Sequence, residues 1–293
     1  METPQLLDIS AEITTFFGIF FAIFSSLMNI FNLKKIEKKK KNDMVLFYSR
    51  FIFDAFYGIT VTIFLSLMIA ANFNNLETIN HFTLLSGLLV WNVGISQAVV
   101  ALMISIERNM AIFTPIFYRN HRSLVTNSVI LCLIFGYAIF QYSFIYYFCN
   151  FELTFPRNCL TIGCSINACS SRFWTKSKLV IFVLTFSFAA LLSSKLLWKV
   201  FKKDNKDFNK ANLLALIDAA IIFLFDFLSI VFFNFTDRVE TFSIHNIGPF
   251  ATSLKQVGCT IEALLVYRTI TKKNYIVKIF KKCNVITNKQ PTS

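Results

Sequence analysis

Apolar and polar residues alternate along this chain in long blocks. From Ile13 to Leu33 the residues are mostly apolar, and the block stops at Lys34-Lys35-Ile36-Glu37-Lys38-Lys39-Lys40-Lys41. Six further blocks of similar length follow. A helix that crosses a membrane needs roughly 20 mostly apolar residues. The pattern predicts seven such helices, at about 9–33, 44–71, 81–117, 124–148, 177–198, 211–235 and 244–269, with 270–293 as a tail. The first block is nearly twice as long as a signal-peptide core, and no basic stretch precedes it, so it reads as a retained span.

The positions of the charges orient these spans. Six Lys follow the first span, Arg108, Arg119 and Arg122 close the third, five Lys follow the fifth, and the seventh leads into seven more basic residues. Basic loops are held in the cytoplasm. The expectation is therefore an all-α membrane protein, a seven-transmembrane helix bundle with its N-terminus outside and its C-terminus cytoplasmic, forming one domain over residues 1–293.

Composition agrees. With 55% hydrophobic residues, 36 Phe and only 15% charged residues, the apolar surface exceeds what a soluble core could hide. The net charge of +13 lies in short runs between spans, which suits a lipid bilayer with anionic headgroups and not nucleic acid. No Gly-rich phosphate loop, zinc-protease motif or nucleophile elbow is present, and His81, His121 and His245 are far apart in the chain. Nothing here points to an enzyme, a metal or a cofactor.

Four of the seven cysteines, Cys149, Cys159, Cys164 and Cys169, fall in one predicted outer loop. An oxidising outer face and an even number favour two disulfides, with three pairings open. A zinc site is the competing reading, but the loop has no CxxC pair and no His. The tripeptide Asn234-Phe235-Thr236 is a glycosylation sequon beside the membrane.

Several polar residues fall inside predicted spans. Arg50 and Asp54 are four apart on one helix face and can pair. Asp226 and Lys255 lie about nine and eleven residues from the outer ends of spans six and seven, hence roughly 13 to 17 Å deep. They can pair with each other, or Lys255 can neutralise another acid or line a wet cavity. Asp218 and Glu262, in the inner thirds of the same spans, are either a transducer contact or inactive-state lock, or packing partners for inner basic residues. Trp91, Asn92 and Gln97 make the outer half of the third span too polar for lipid, and with Asp226 and Lys255 they are candidates to line a ligand pocket. Each is equally an interhelical packing or hydrogen-bonding residue.

The third span closes on Glu107-Arg108, followed by Pro115 and a basic turn with Arg119 and Arg122. This is either a self-neutralising helix end or a functional pair. Three stretches, ISIERNMAIFTPIFYRNHR (Ile104 to Arg122), NKANLLALIDAAIIFLFDFLS (Asn209 to Ser229) and GPFATSLKQVGCTIEALLVYRTI (Gly248 to Ile270), resemble the nematode serpentine chemoreceptors of class BC, and the cysteine-rich outer loop agrees. The resemblance implies an orphan, rhodopsin-like G protein-coupled receptor for a small-molecule chemical ligand. Its partner would be a heterotrimeric G protein, and its place the plasma membrane of sensory neurons, at their cilia. It implies that Glu107 and Arg108 form the switch pair facing the G protein, with Arg119 and Arg122 in the coupling surface. Helix three ends in Glu-Arg-Asn instead of Asp-Arg-Tyr, and spans six and seven lack the Cys-Trp-x-Pro and Asn-Pro-x-x-Tyr elements of better-known receptors. The alternative function is a small-solute transporter or ligand-gated channel subunit. Midplane helix breaks expected of a transporter are missing, Gly248-Pro249 coming closest.

Overall fold

The computed structural model describes residues 9–37, 45–73, 77–121, 127–151, 167–201, 210–228 and 249–271. The helices are α1 (Ile9–Glu37), α2 (Val45–Phe73), α3 (Glu77–Phe113), α4 (Pro115–His121), α5 (Asn127–Tyr147), α6 (Ala168–Phe201), α7 (Lys210–Ile221), continued by a π-helical turn (Ile222–Phe227), and α8 (Phe250–Thr271). No strand occurs among the described residues. The chain is an all-α serpentine bundle.

By length and composition, α1, α2, α3, α5 and α6 can each cross a membrane. The π turn divides the sixth segment, and Lys255, Gln256 and Glu262 make α8 more polar. Both occupy the places of the sixth and seventh spans.

Several boundaries differ from the sequence expectation; α1 runs on to Glu37 and α3 begins at Glu77, each four residues beyond the expected limit. The third helix ends at Phe113, not Phe117, because Pro115 has no N–H and its ring disfavours helical backbone at the residue before it. Pro115 instead opens α4, whose Tyr118 N–H bonds Thr114 O at 2.9 Å. The fifth span begins at Ala168, a turn or more before Ser177, because Asn167 caps it: Asn167 Oδ1 accepts the Ser170 N–H at 2.9 Å. The last helix begins at Phe250, and 244–248 lie outside the described residues.

α3 is the central rod. In its most apolar stretch 72% of the residues are buried, against 17% for α5, which packs mainly on α3 and otherwise faces outward. Leu46, Phe47, Phe51, Ile95, Val100 and Ile104 form the inner core with residues of α6 and α7. A second cluster, Ala22, Val61, Leu65, Met68, Val90 and Val93, joins α1, α2 and α3. The outward rows Phe16, Phe17, Phe20 and Phe31 on α1, and Ile139 and Phe140 on α5, are exposed as lipid-facing surfaces require.

Apolar packing alone does not select a partner helix in lipid, so small residues and side-chain-to-backbone bonds contribute the specificity. Asn32 Nδ2 donates to Ala263 O at 3.0 Å, Ser253 Oγ to Thr14 O at 3.0 Å and Thr260 Oγ1 to Phe21 O at 3.2 Å, fastening α1 to α8. Ser26 Oγ donates to Ala55 O at 3.1 Å, fastening α1 to α2. Beside it Gly58 permits the close approach, since a Cβ there would stand 2.7 Å from Ala22 O.

Candidate functional site

Among the described residues, the largest concentration of buried charge is centred on Arg50 of α2. Its Nη1 lies 3.3 Å from Asp54 Oδ1, and its Nη2 lies 2.7 Å from Asp218 Oδ1 and 3.3 Å from Glu262 Oε2. Nη1 also donates to the backbone oxygen of Gln97 at 3.1 Å, and Gln97 Nε2 donates to Asp54 Oδ1 at 2.8 Å. All five residues are buried. A planar guanidinium with a fan of donors can serve several carboxylates at once, which a lysine cannot do as well. One side chain thus joins α2, α3, α7 and α8. Asp218 and Glu262, each open to two readings in the sequence, here are partners of a buried arginine.

About two turns outward, Lys255 Nζ lies 3.3 Å from Asp226 Oδ2 and 4.4 Å from the centroid of the Tyr57 ring. Of the two readings open to Lys255, the pairing with Asp226 is the one present. Asp226 sits in the π turn, where the Leu228 N–H bonds back to Phe223 O. Such turns widen a helix locally and recur at functional sites. Between this pair and the Arg50 cluster is a gap of about 10 Å³, lined in part by Gln97, Asp226, Lys255 and Glu262. That is room for a water and not for a ligand.

The inner end of α3 is tied on three sides. Glu107 Oε2 lies 3.4 Å from Arg108 Nη2, and Glu107 Oε1 accepts the Tyr118 hydroxyl of α4 at 2.8 Å. The Arg108 guanidinium stands over the Phe47 ring of α2 at 5.8 Å. Asn109 Nδ2 donates to Phe188 O of α6 at 2.8 Å. Glu107 and Arg108 are buried against protein. Arg119 lies in α4, and Arg122 lies outside the described residues.

The outer ends of α5 and α6 are stapled together. Cys149 and Cys169 form a disulfide. Asn167 adds a second link, its Nδ2 donating to Cys149 O while its Oδ1 caps α6. Phe144 stacks on Phe173 with centroids 4.0 Å apart. Of the three pairings open to the four cysteines, this bond agrees only with the one that would join Cys159 to Cys164, which lie outside the described residues.

Below the staple is a cavity of about 330 Å³. α3 contributes Leu88, Trp91, Asn92 and Ile95, α5 contributes Gln141, Tyr142, Ser143 and neighbours, and Phe151 and Ser170 close it. The Trp91 indole is set edge-on to Trp174 of α6, with centroids 4.7 Å apart. Among the described residues, Ser170 Oγ and Trp91 Nε1 are buried and have no hydrogen-bond partner.

The five residues expected to line one pocket therefore separate into two places. Trp91 and Asn92 line the cavity. Gln97, Asp226 and Lys255 border the small polar gap. Sequence reasoning did not find Ser170, Gln141 or Tyr142, because it assigned Ser170 to a loop and had no reason to turn α5 toward α3. The Asn167 cap was the available clue. It also did not find Tyr118 as the partner of Glu107, a contact made only when the chain turns back at Pro115. No cluster able to hold a metal occurs among the described residues, and Asn234 lies outside them.

A search of curated proteins returns no match. The family profile described as serpentine type 7TM GPCR chemoreceptor Srbc matches residues 7–274, nearly the whole chain. The bundle, the buried charges of its sixth and seventh segments and this match lead to one conclusion: the chain belongs to the Srbc family of serpentine seven-transmembrane chemoreceptors.

Proposed function

We propose that this protein is a chemosensory receptor that binds a small extracellular molecule and activates a cytoplasmic heterotrimeric G protein. The observation that carries this reading is the Arg50 node, which joins α2, α3, α7 and α8 through a single side chain. It lies between a ligand-sized cavity at one end of α3 and the Glu107-Arg108 pair at the other. A multi-partner ionic node is suited to two discrete arrangements, since moving one helix exchanges whole ion pairs. A ligand that binds one arrangement more tightly shifts the population toward it.

In this reading the lysine-rich ends face the cytoplasm and the disulfide-bearing end faces out, as basic loops require. Glu107 and Arg108 face the G protein, with Arg119 and Arg122 in the same surface. The protein acts by binding and not by catalysis. Its place is the plasma membrane, and by family its setting is the cilium of a sensory neuron.

The test is nucleotide exchange on a co-expressed heterotrimeric G protein, with surface level monitored in parallel. Exchange above background, lost on Arg108→Ala at unchanged surface level, supports the reading. Ligand-evoked current in cells without the G protein would instead support a channel. An N-terminal tag reached only after cell permeabilisation would overturn the orientation.

A further inference from the structure

We propose that the cavity between α3, α5 and the outer end of α6 is the ligand site. Its ligand is a small uncharged molecule, mostly hydrocarbon, carrying a hydrogen-bond acceptor such as a carbonyl oxygen. The inference rests on the receptor reading above and specifies its ligand and location.

Size comes first. About 330 Å³ is at the lower end of the roughly 300–1,000 Å³ typical of small-molecule sites. At about 30 Å³ for each water-sized group, it holds on the order of ten non-hydrogen atoms. Among the described residues, the gap bordered by α3, α7 and α8 measures about 10 Å³.

Charge comes second. Among the described residues, none that lines the cavity is a cation or an acid: the wall is Leu88, Ile95, Phe151 and aromatic rings, with amides and hydroxyls between. An ammonium or carboxylate ligand would leave water with no counter-charge among the described residues to meet it, which is strongly unfavourable. The charges of Asp226 and Lys255 are paired with each other elsewhere.

Hydrogen bonding comes third. Ser170 Oγ and Trp91 Nε1 are buried and unpartnered among the described residues, and both residues line the cavity. Ser170 lies in the first turn of α6, beside the Asn167 cap. Trp91 can only donate, and the hydroxyl proton of Ser170 needs an acceptor. An unmet buried donor selects strongly for a ligand that satisfies it. The missing complement is an acceptor without a charge.

The staple holds this geometry. The Cys149–Cys169 disulfide and the Asn167 bonds fix the first turn of α6, and with it Ser170, to the end of α5.

The experiment uses the full chain in nanodiscs and 2-nonanone as probe, whose carbonyl quenches a nearby indole. Trp198→Phe serves as background, leaving Trp91 and Trp174 as reporters. Saturable quenching is expected. Ser143→Phe and Leu88→Phe, which fill the cavity from α5 and from α3, should each abolish it, and Ser170→Ala should weaken it roughly tenfold. Octanoate and nonylamine should compete at least tenfold less well than the ketone. The proposal is overturned by the absence of saturable quenching in the Trp198→Phe background. It is also overturned if quenching survives in whichever filled variant keeps the parent melting temperature, or if either charged compound competes equally. If n-decane competes as well as the ketone and Ser170→Ala has no effect, the cavity is a slot for lipid tails. Nucleotide exchange on the same preparation separates the two claims. Cavity binding without any G protein response would overturn the receptor reading and leave the site standing, whereas a response insensitive to Ser143→Phe would do the reverse.

Discussion

Asp218 of α7 accepts a hydrogen bond from Arg50 of α2 at 2.7 Å, across 168 positions of sequence. Both side chains are buried, and the same Nη2 also meets Glu262. The sixth and seventh segments are thus held to the second by one nitrogen.

Removing the hub leaves three carboxylates without their counter-charge. Breaking one side of a buried ion pair costs about 3–5 kcal/mol, so Arg50→Met should lower the melting temperature sharply and deplete the receptor from the cell surface. Asp218→Asn keeps a hydrogen-bond acceptor and should be milder. It loosens α7 from α2, and ligand-independent nucleotide exchange should rise severalfold at near-normal surface level. Unchanged basal exchange would mean that the node is structural only.

The Asp226–Lys255 pair should behave reciprocally. Asp226→Lys and Lys255→Asp each place like charges together inside the bundle, and each should reduce the folded fraction. The double exchange restores opposite signs at the same positions. Its thermal stability should recover most of the loss, and a double variant no better than either single one would refute a direct pairing.

The outer staple offers a test by equivalence. Cys149→Ser, Cys169→Ser and the double variant should lose the same stability, about 2–5 kcal/mol, because each removes one bond. Thermal melting without reductant measures this. A larger loss in the double variant would indicate an independent role for one thiol.

Gly258 marks the closest approach of α8 to the π turn. A Cβ at this position would lie 2.7 Å from Phe225 Cβ, too near for any ordinary contact. Gly258→Val should therefore destabilise the bundle by about 1–3 kcal/mol through overpacking. Phe225→Ala, by opening the facing wall, should recover part of that loss when the two are combined.

Tyr118 closes the inner end of α3 by donating to Glu107 at 2.8 Å. Tyr118→Phe removes that donor. Basal nucleotide exchange should increase, and Glu107→Gln should raise it in the same direction. If neither variant changes exchange while Arg108→Ala abolishes it, Arg108 acts at the G protein surface without a resting lock.

The sequence made the bundle legible because lipid imposes one rule on every span, and a run of apolar residues ending in lysines satisfies it visibly. The disulfide loop was legible for a similar reason, four cysteines being close in the chain. Depth made the pairing of Asp226 with Lys255 one of two readings, and the structure shows it. Helix ends were read less well where one residue overrode the apolar pattern: Pro115 stopped α3 early, and Asn167 started α6 early. The pocket was read least well. Trp91, Asn92 and Gln97 fall within two turns of one helix, yet Trp91 and Asn92 line the cavity and Gln97 bonds Asp54.

By itself, the order of residues determined that the chain crosses a membrane repeatedly, which ends carry the basic residues and which family it belongs to, because hydropathy, charge bias and motif spacing are local properties. Only the tertiary structure decided that Arg50 would gather Asp218 and Glu262 beside Asp54, and that a ligand-sized cavity would lie against α5. Those outcomes depend on how helices rotate and approach. The rotation is set by contacts such as Gly258 against Phe225 and Asn32 against Ala263, between residues that the chain itself keeps far apart.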